Sequence, residues 1–302
     1  MNIYKKIKLW RKKFHTAFDS IEQIKFNQKK NLLEYNMIQS SLVGVSKERY
    51  CDHDIIVSLT THGKRIHSVH LAIESIMMQT MRANRIILWL DYSFKDSSLP
   101  RALQLQQRRG LEIKYCKDIK SYKKLIPSLQ EFSDDVIITI DDDLIYEIDL
   151  LENLITAYQQ DPSYIYCCRH HRMLLDSDKN LLSYNLWQQE DPTIYEGNIM
   201  NFPIGGGGIL YPPYSLDEEV FNESVFMSIS PYADDVWFKA MALKKGTLSK
   251  KVYTHNISGN DYLENQDVQD IGLKRINNEG ECLNDKQIRA VFDRYGLYKK
   301  LR

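Results

Sequence analysis

The clearest indication of the fold and of a candidate site is the stretch Val136-Ile137-Ile138-Thr139-Ile140-Asp141-Asp142-Asp143. Its apolar and β-branched residues predict a buried strand that leads straight into three carboxylates. Adjacent like charges repel one another and cannot be buried without a compensating cation. Because Mg²⁺ and Mn²⁺ prefer oxygen ligands, the triplet predicts a divalent-metal site, with a solvated acidic turn as the alternative. If the strand geometry persists, Asp141 and Asp143 point one way and Asp142 the other.

The sequence before this strand alternates between strand and helix patterns. Three earlier apolar runs predict strands at residues 54–59, 85–90 and 111–115. The segments between the strands have helical patterns, at residues 66–79, 99–109 and 122–132. We expect Pro127 to bend the last helix. The alternation predicts an α/β fold with a mostly parallel, Rossmann-like sheet between helices. In such sheets ligands bind beyond the carboxyl ends of the strands, so the polar residues after strands one and four should share one crevice.

Three segments resemble the GT-A glycosyltransferases, most closely family-2-like enzymes of bacterial capsule and lipopolysaccharide biosynthesis. Residues 138–143 are similar to their strand and DXD motif, and residues 57–61 to their first strand and nucleotide-contacting turn. Residues 233–237 resemble the acidic motif that supplies the base in inverting members. The resemblance covers residues 52–260, although Thr60-Thr61 replaces a commoner proline-threonine pair and Asp234 replaces a glutamate.

The resemblance implies a metal-dependent hexosyltransferase-type enzyme. It would move a sugar from a nucleotide-sugar, with a UDP-sugar as the expected donor, to a saccharide or glycolipid acceptor in cell-surface polysaccharide biosynthesis. It implies Asp143, Asp141 and His255 as ligands of Mn²⁺ or Mg²⁺, with Asp141 also reaching the ribose. It implies Asp235 as the catalytic base for inverting transfer, with Asp234 beside it. Adjacent carboxylates raise each other's pKa, which suits a base that works near neutrality.

Further residues are expected to contact the donor or the acceptor. Those expected at the nucleotide are Thr60, Thr61, Arg65, Asp91, Lys124, Asp141 and Asp142. Those expected at the donor sugar or the acceptor are Gly206, Gly207, Gly208 and Trp237. Structural roles are the alternatives: the acidic pair can favour a helix N-terminus, the glycines can form a flexible turn, and Trp237 and His255 can belong to the core.

Charge is distributed unevenly along the chain. The net charge is zero overall, which lacks the basic excess usual in nucleic-acid-binding proteins. Residues 1–30 nevertheless carry nine Lys and Arg against Asp19 and Glu22, about +7, so the remainder is about −7. Apolar residues recur at helical spacing in this segment, at Ile3, Ile7, Trp10, Phe14, Phe18, Ile21 and Phe26. A basic amphipathic helix over residues 1–38 either binds an anionic membrane surface or packs against its own domain or a partner.

These observations predict three segments and a cytoplasmic location. The segments are an N-terminal helical arm (1–50), a GT-A catalytic domain (51–262, with a nucleotide-binding half 51–143 and an acceptor half 144–262) and a C-terminal helical tail (263–302). An odd number of cysteines, five, without a C-x-x-C pair is typical of a reduced compartment. The sequence has neither a secretory signal core nor an apolar run long enough to span a membrane. We therefore expect a cytoplasmic enzyme, peripheral on the inner face of the cell membrane if the arm binds lipid.

Two other functions stay open. A sugar nucleotidyltransferase shares the architecture and the metal-binding aspartates, but its first loop is usually rich in glycine, and residues 60–65 contain one. A non-enzymatic peripheral membrane scaffold is the second alternative, and the intact acidic triplet and acidic pair argue against it.

Overall fold

The computed structural model describes residues 3–190, 193–253, 262–271 and 283–301. Its strands are β1 (Ile55–Thr60), β2 (Arg85–Asp91), β3 (Leu111–Cys116), β4 (Val136–Thr139), β5 (Leu144–Tyr146), β6 (Ile165–Cys167), β7 (His170–Arg172), β8 (Asn201–Pro203), β9 (Ile209–Tyr211), β10 (Ser249–Lys251) and β11 (Tyr262–Glu264). Its α-helices are α1 (Ile3–Gln39), α2 (His70–Met77), α3 (Arg101–Gln107), α4 (Ile126–Glu131), α5 (Leu150–Gln160), α6 (Glu223–Ile229), α7 (Asp234–Lys245) and α8 (Leu283–Tyr295).

A seven-stranded sheet forms the centre of the molecule, in the order β10-β6-β9-β4-β1-β2-β3. Its strands run parallel except β9, which is antiparallel to its neighbours β4 and β6. Strand β1 lies inside the sheet, and its residues Ile55, Ile56 and Val57 are fully buried. Such continuous apolar strands are expected where helices cover both faces of a sheet. The prediction of a mostly parallel α/β fold is therefore confirmed.

Two predicted helices differ from those of the structure. The helix expected at residues 122–132 is a 3₁₀ turn at Lys120–Lys124 followed by the short helix α4. Pro127 lies in the first turn of α4, where its missing N–H costs no hydrogen bond, so it begins this helix and does not bend it. The helix expected at residues 66–79 likewise consists of a 3₁₀ turn at Gly63–His67 followed by α2.

Helix α1 has a packed half and a projecting half. Phe26 and Leu33 are buried, and they form an apolar cluster with Leu71 of α2 and Ile145 of β5. Earlier in the helix, Trp10 and other apolar side chains are exposed to solvent. None of the helices in the described ranges combines the length and the apolar character needed to cross a bilayer.

Candidate active site

A cleft of about 1640 Å³ opens beyond the carboxyl ends of β1 and β4. The turn after β1 and the acidic triplet after β4 both line it, as the strand order predicts. The first turn of α7 brings Asp234 and Asp235 to the same cleft, and the loop before β9 contributes Gly206. Helix α1 forms part of the wall through residues of its packed half, including Lys25 and Lys29.

Lys124 joins the acidic triplet to the acidic pair. Its Nζ lies 3.1 Å from Asp141 Oδ1 and 3.0 Å from Asp234 Oδ2. Ser121 Oγ donates a hydrogen bond to the other oxygen of Asp234, at 2.9 Å. Burial opposes the charged form of Lys124, but its neighbouring carboxylates, Asp141 foremost, raise the Lys124 pKa well above its usual value. The lysine therefore stays charged and holds two carboxylates from distant parts of the chain in one site.

Arg65 organises the rest of the triplet. Its Nη1 lies 2.7 Å from Asp142 Oδ1, and its Nη2 lies 3.1 Å from Asp143 Oδ2. Thr61 Oγ1 donates to the second oxygen of Asp142 at 2.6 Å, so both oxygens of this buried carboxylate are engaged. The strand geometry on which the expected alternation of the triplet depends does not persist, because β4 ends at Thr139, and Arg65 contacts two successive aspartates. Arg65 and Asp142, expected at the nucleotide, bind each other here.

Asp143 is the carboxylate of the triplet that follows Asp142 and also contacts Arg65. Its Oδ2 also accepts a hydrogen bond from Gln269 Nε2 at 2.9 Å, and its side chain is 14% exposed at the cleft. Burial, and next the charge of Asp141, raise the Asp143 pKa to about 6 even though Arg65 opposes the shift. A positive charge at the cleft would stabilise the ionised form of this carboxylate.

Asp235 lies in the first turn of α7, where its charge also suits the helix dipole. Its Oδ2 accepts the backbone N–H of Gly205 at 3.1 Å. Burial raises the Asp235 pKa to about 7; Lys124 opposes this shift, and Asp234 adds to it. A carboxyl group with a pKa near neutrality can accept a proton at physiological pH and release it again.

The glycine loop, residues 205–208, packs closely against side chains of the site and of neighbouring segments. A Cβ on Gly205 would lie 2.6 Å from Lys124 Nζ, and a Cβ on Gly207 would lie 2.5 Å from Arg169 Cβ. Gly208 has φ +89°, a left-handed conformation that favours glycine. Of the three glycines predicted to contact a sugar, Gly206 lines the cleft, and Gly207 and Gly208 serve the close approach of protein segments.

The remaining predicted site residues differ in where they lie. The expectation that Trp237 stacks on a sugar is corrected, because its side chain is fully buried and its Nε1 donates to Val220 O at 3.1 Å. Asp91 Oδ1 accepts the backbone N–H of Ser93, and its Oδ2 lies 3.4 Å from Lys123 Nζ; Lys123 lines the cleft and Asp91 does not. Thr60 lines the cleft while its Oγ1 donates to a backbone oxygen of β2 at 2.8 Å. His255 lies outside the described residues.

Sequence reasoning missed several residues that shape the cleft. Tyr146 OH accepts the backbone N–H of Asp141 at 2.8 Å and donates to Gly206 O at 3.3 Å, which ties the triplet to the glycine loop. Arg169 donates to Tyr262 OH at 2.7 Å and forms an ion pair with Glu190 at the cleft wall. These pairs are distant in sequence or lack a motif, so no local pattern signals them.

A family model described as Glycosyl transferase family 2 matches residues 57–210, from β1 through the acidic triplet to β9. Comparison with curated protein sequences finds no significant match.

Three solved structures that are similar to this chain have low sequence identity and low TM-scores. An inositol-1-phosphate CTP transferase from T. maritima is 12% identical with a TM-score of 0.40, covering 76% of this chain and 97% of that one. A CMP:2-keto-3-deoxy-manno-octonic acid synthetase complexed with CTP is 10% identical (TM-score 0.39, 68% and 90% covered). HddC from Yersinia pseudotuberculosis is 14% identical (TM-score 0.34, 54% and 78% covered). Similarities of this size say nothing about the reaction.

Proposed function

Because the chain belongs to glycosyl transferase family 2, we propose that it is a metal-dependent glycosyltransferase that moves a sugar from a nucleotide-sugar to a saccharide or glycolipid acceptor. One observation carries the proposal: Lys124 holds the acidic triplet and the acidic pair in a single cleft. The triplet supplies carboxylates for a cation and the donor, and the pair supplies a base for the acceptor. Direct displacement needs both functions side by side.

The donor set fits a hard divalent cation. Asp143 and Asp141 are the residues that would hold Mn²⁺ or Mg²⁺, and burial raises the Asp143 pKa to about 6 beside its acidic neighbours. Among the described residues no three His, Cys, Asp or Glu side chains converge as a complete metal site. Mg²⁺ sites of this kind are commonly completed by substrate phosphates and water. When bound, the ion would neutralise charge on the leaving diphosphate.

Asp235 is the proposed catalytic base. In the proposed step its carboxylate takes the proton of the acceptor hydroxyl, the acceptor oxygen bonds to the anomeric carbon, and the bond from that carbon to the diphosphate breaks. The nucleoside diphosphate leaves with the electron pair, and displacement from the opposite side inverts the anomeric configuration. The Gly205 N–H fixes one carboxylate oxygen, and a pKa of about 7 poises the group for this transfer.

Two features of the N-terminal helix α1 support the proposal that the acceptor is linked to a membrane and that the enzyme acts in cell-surface polysaccharide biosynthesis. Its packed half lines the cleft, and its projecting half exposes Ile7, Trp10 and Phe14 beside several basic residues. Exposed aromatic and basic side chains suit the surface of an anionic membrane. Peripheral binding there would place the cleft near an acceptor anchored in the inner leaflet.

The test is a donor screen with the purified full chain. UDP-, GDP- and CMP-sugars are incubated with Mn²⁺, with and without saccharide acceptors, and release of the nucleotide is measured; we expect a UDP-sugar to be used. Asp143→Asn and Asp235→Asn should lose turnover, and Asp178→Asn, in an exposed loop, is the matched control. Pyrophosphate release from a nucleoside triphosphate and a sugar phosphate, without turnover of any nucleotide-sugar, would instead identify a nucleotidyltransferase.

A further inference from the structure

A second, much smaller cavity of about 10 Å³ lies behind the cleft, between α7 and the sheet. Its lining residues with polar side-chain groups are Asp235, Lys239, Ser249 and Tyr211, and burial raises the Tyr211 pKa well above its usual value, so that its hydroxyl is neutral. Asp235 lines both this cavity and the cleft, so its carboxylate forms part of the wall between them. This volume is about the least space that can hold one water molecule.

Three buried polar atoms around this cavity have no hydrogen-bond partner within the described part of the chain: Asp235 Oδ1, Lys239 Nζ and Ser249 Oγ. Lys239 is 3% exposed and Ser249 is fully buried. Burying an ammonium group or a hydroxyl without a partner is costly, so such atoms normally bind a ligand or an ordered water. Lys239 follows Asp235 by one helical turn, so the two side chains lie on the same face of α7, and both line this cavity.

We propose that Lys239 is a positioning residue for Asp235, acting through one water molecule held between Asp235 Oδ1, Lys239 Nζ and Ser249 Oγ. The inference rests on the proposed role of Asp235 as the base and extends it. Lys239 donates to the water, and the water donates to the carboxylate and shares a hydrogen bond with the Ser249 hydroxyl. Because the Gly205 N–H already binds Oδ2, the two contacts together fix the plane of the carboxylate.

The charged groups around Lys239 and Asp235 determine whether Lys239 favours or opposes the ionised form of Asp235. Arg172 and Cys167 face Lys239 from the strands, and burial raises the Cys167 pKa to about 12, so that thiol is neutral. Burial lowers the Lys239 pKa to about 7, so the ammonium is charged in the acidic range. The charged groups that act on Asp235 from other positions are Lys124, Asp234 and Asp141. Across the water, charged Lys239 adds to the effect of Lys124 and favours the ionised base.

The test removes the ammonium and follows the base directly. Asp235 is titrated by NMR with ¹³C-labelled aspartate carboxyl carbons, its signal assigned by its loss in Asp235→Asn, and the acidic limb of kcat/KM against pH is measured alongside. In Lys239→Met we expect the Asp235 pKa and the acidic limb to rise together by about half a unit or more. Ser249→Ala should shift both in the same direction by less. Lys245→Met, which alters an exposed lysine of the same helix, should shift neither.

Folding should not obscure the result, because replacing an unpaired buried ammonium by an apolar side chain of similar length removes a desolvation cost. An identical Asp235 titration in Lys239→Met and Lys245→Met would overturn the proposal. The NMR titration does not depend on turnover. A protein without transferase activity would therefore refute the proposed function while the role of Lys239 is still measured.

Discussion

Replacing Lys124 by methionine tests whether the site depends on this one buried cation. The lysine is 6% exposed, and it forms ion pairs with Asp141 and Asp234. Removing one partner of a buried ion pair typically costs about 3–5 kcal/mol, because the remaining charge is left buried. The Asp141 side chain is 32% exposed and water screens it, so we assign most of the cost to Asp234, whose side chain is 8% exposed. We expect Lys124→Met to lower the free energy of unfolding by about 3 kcal/mol at pH 8, which is the lower end of that range.

The loss should depend on pH in a defined direction. Without Lys124 the buried acidic groups lose the cation that stabilises their ionised form, whereas an aspartate of the unfolded chain ionises with a pKa of about 3.9. A carboxyl group that binds its proton more tightly in the folded state destabilises the fold increasingly as pH rises above the unfolded pKa. The destabilisation by Lys124→Met should therefore be small near pH 4 and complete at pH 8.

Urea unfolding of the unaltered protein and Lys124→Met at pH 4.5, 6 and 8 measures this difference. Lys245→Met is the matched control, since this lysine is exposed on α7 and its loss should change the free energy of unfolding by about 0.5 kcal/mol or less. When Lys124→Met is made in the Asp234→Asn variant, it should lower the free energy of unfolding by less than it does in the unaltered protein. The reason is that fewer buried charges are then left unpaired. A decrease in the free energy of unfolding below about 1 kcal/mol at pH 8, or an equal decrease at all three pH values, would contradict this prediction.

Three further outcomes are expected. Asp235→Asn should reduce the rate of transfer by about 10²–10⁴ and leave donor affinity, measured by calorimetry, within a few-fold; near-normal transfer would move the base to Asp234. Asp143→Ala should abolish Mn²⁺-dependent nucleotide binding while circular dichroism shows an intact fold, and full turnover of the unaltered protein after exhaustive metal removal would contradict the underlying reasoning. Deleting residues 1–18, which carry six Lys and Arg, should release the protein from anionic vesicles in a cosedimentation assay and spare transfer to a soluble acceptor, since attraction is worth about 1 kcal/mol per basic residue. Deleting residues 1–38 should instead cause aggregation because it uncovers Leu71 and Ile145, and vesicle binding that survives the shorter deletion would exclude the membrane interpretation.

The alternating elements, the mostly parallel sheet and the position of the acidic triplet after β4 could all be predicted from the sequence. These features follow from local patterns, because a buried parallel strand needs a continuous apolar run and an amphipathic helix needs an apolar stripe. The strand order then placed the residues after β1 and β4 at one edge, as the cleft shows. The helix at residues 3–39 could likewise be predicted from a local pattern, the helical spacing of its apolar residues.

Tertiary structure alone decided which charges meet and which side chains reach the cleft. Lys124 and Arg65 could be read only as basic residues near the site, and the fold made each the counter-ion of two carboxylates. The same holds for Trp237, where the motif suggested a ligand contact and packing against Phe226 buried the ring. The pairing of a buried charge and the burial of an aromatic ring depend on segments that are distant in sequence. A local pattern fixes the type of element, and only the packing of all elements fixes what each side chain faces.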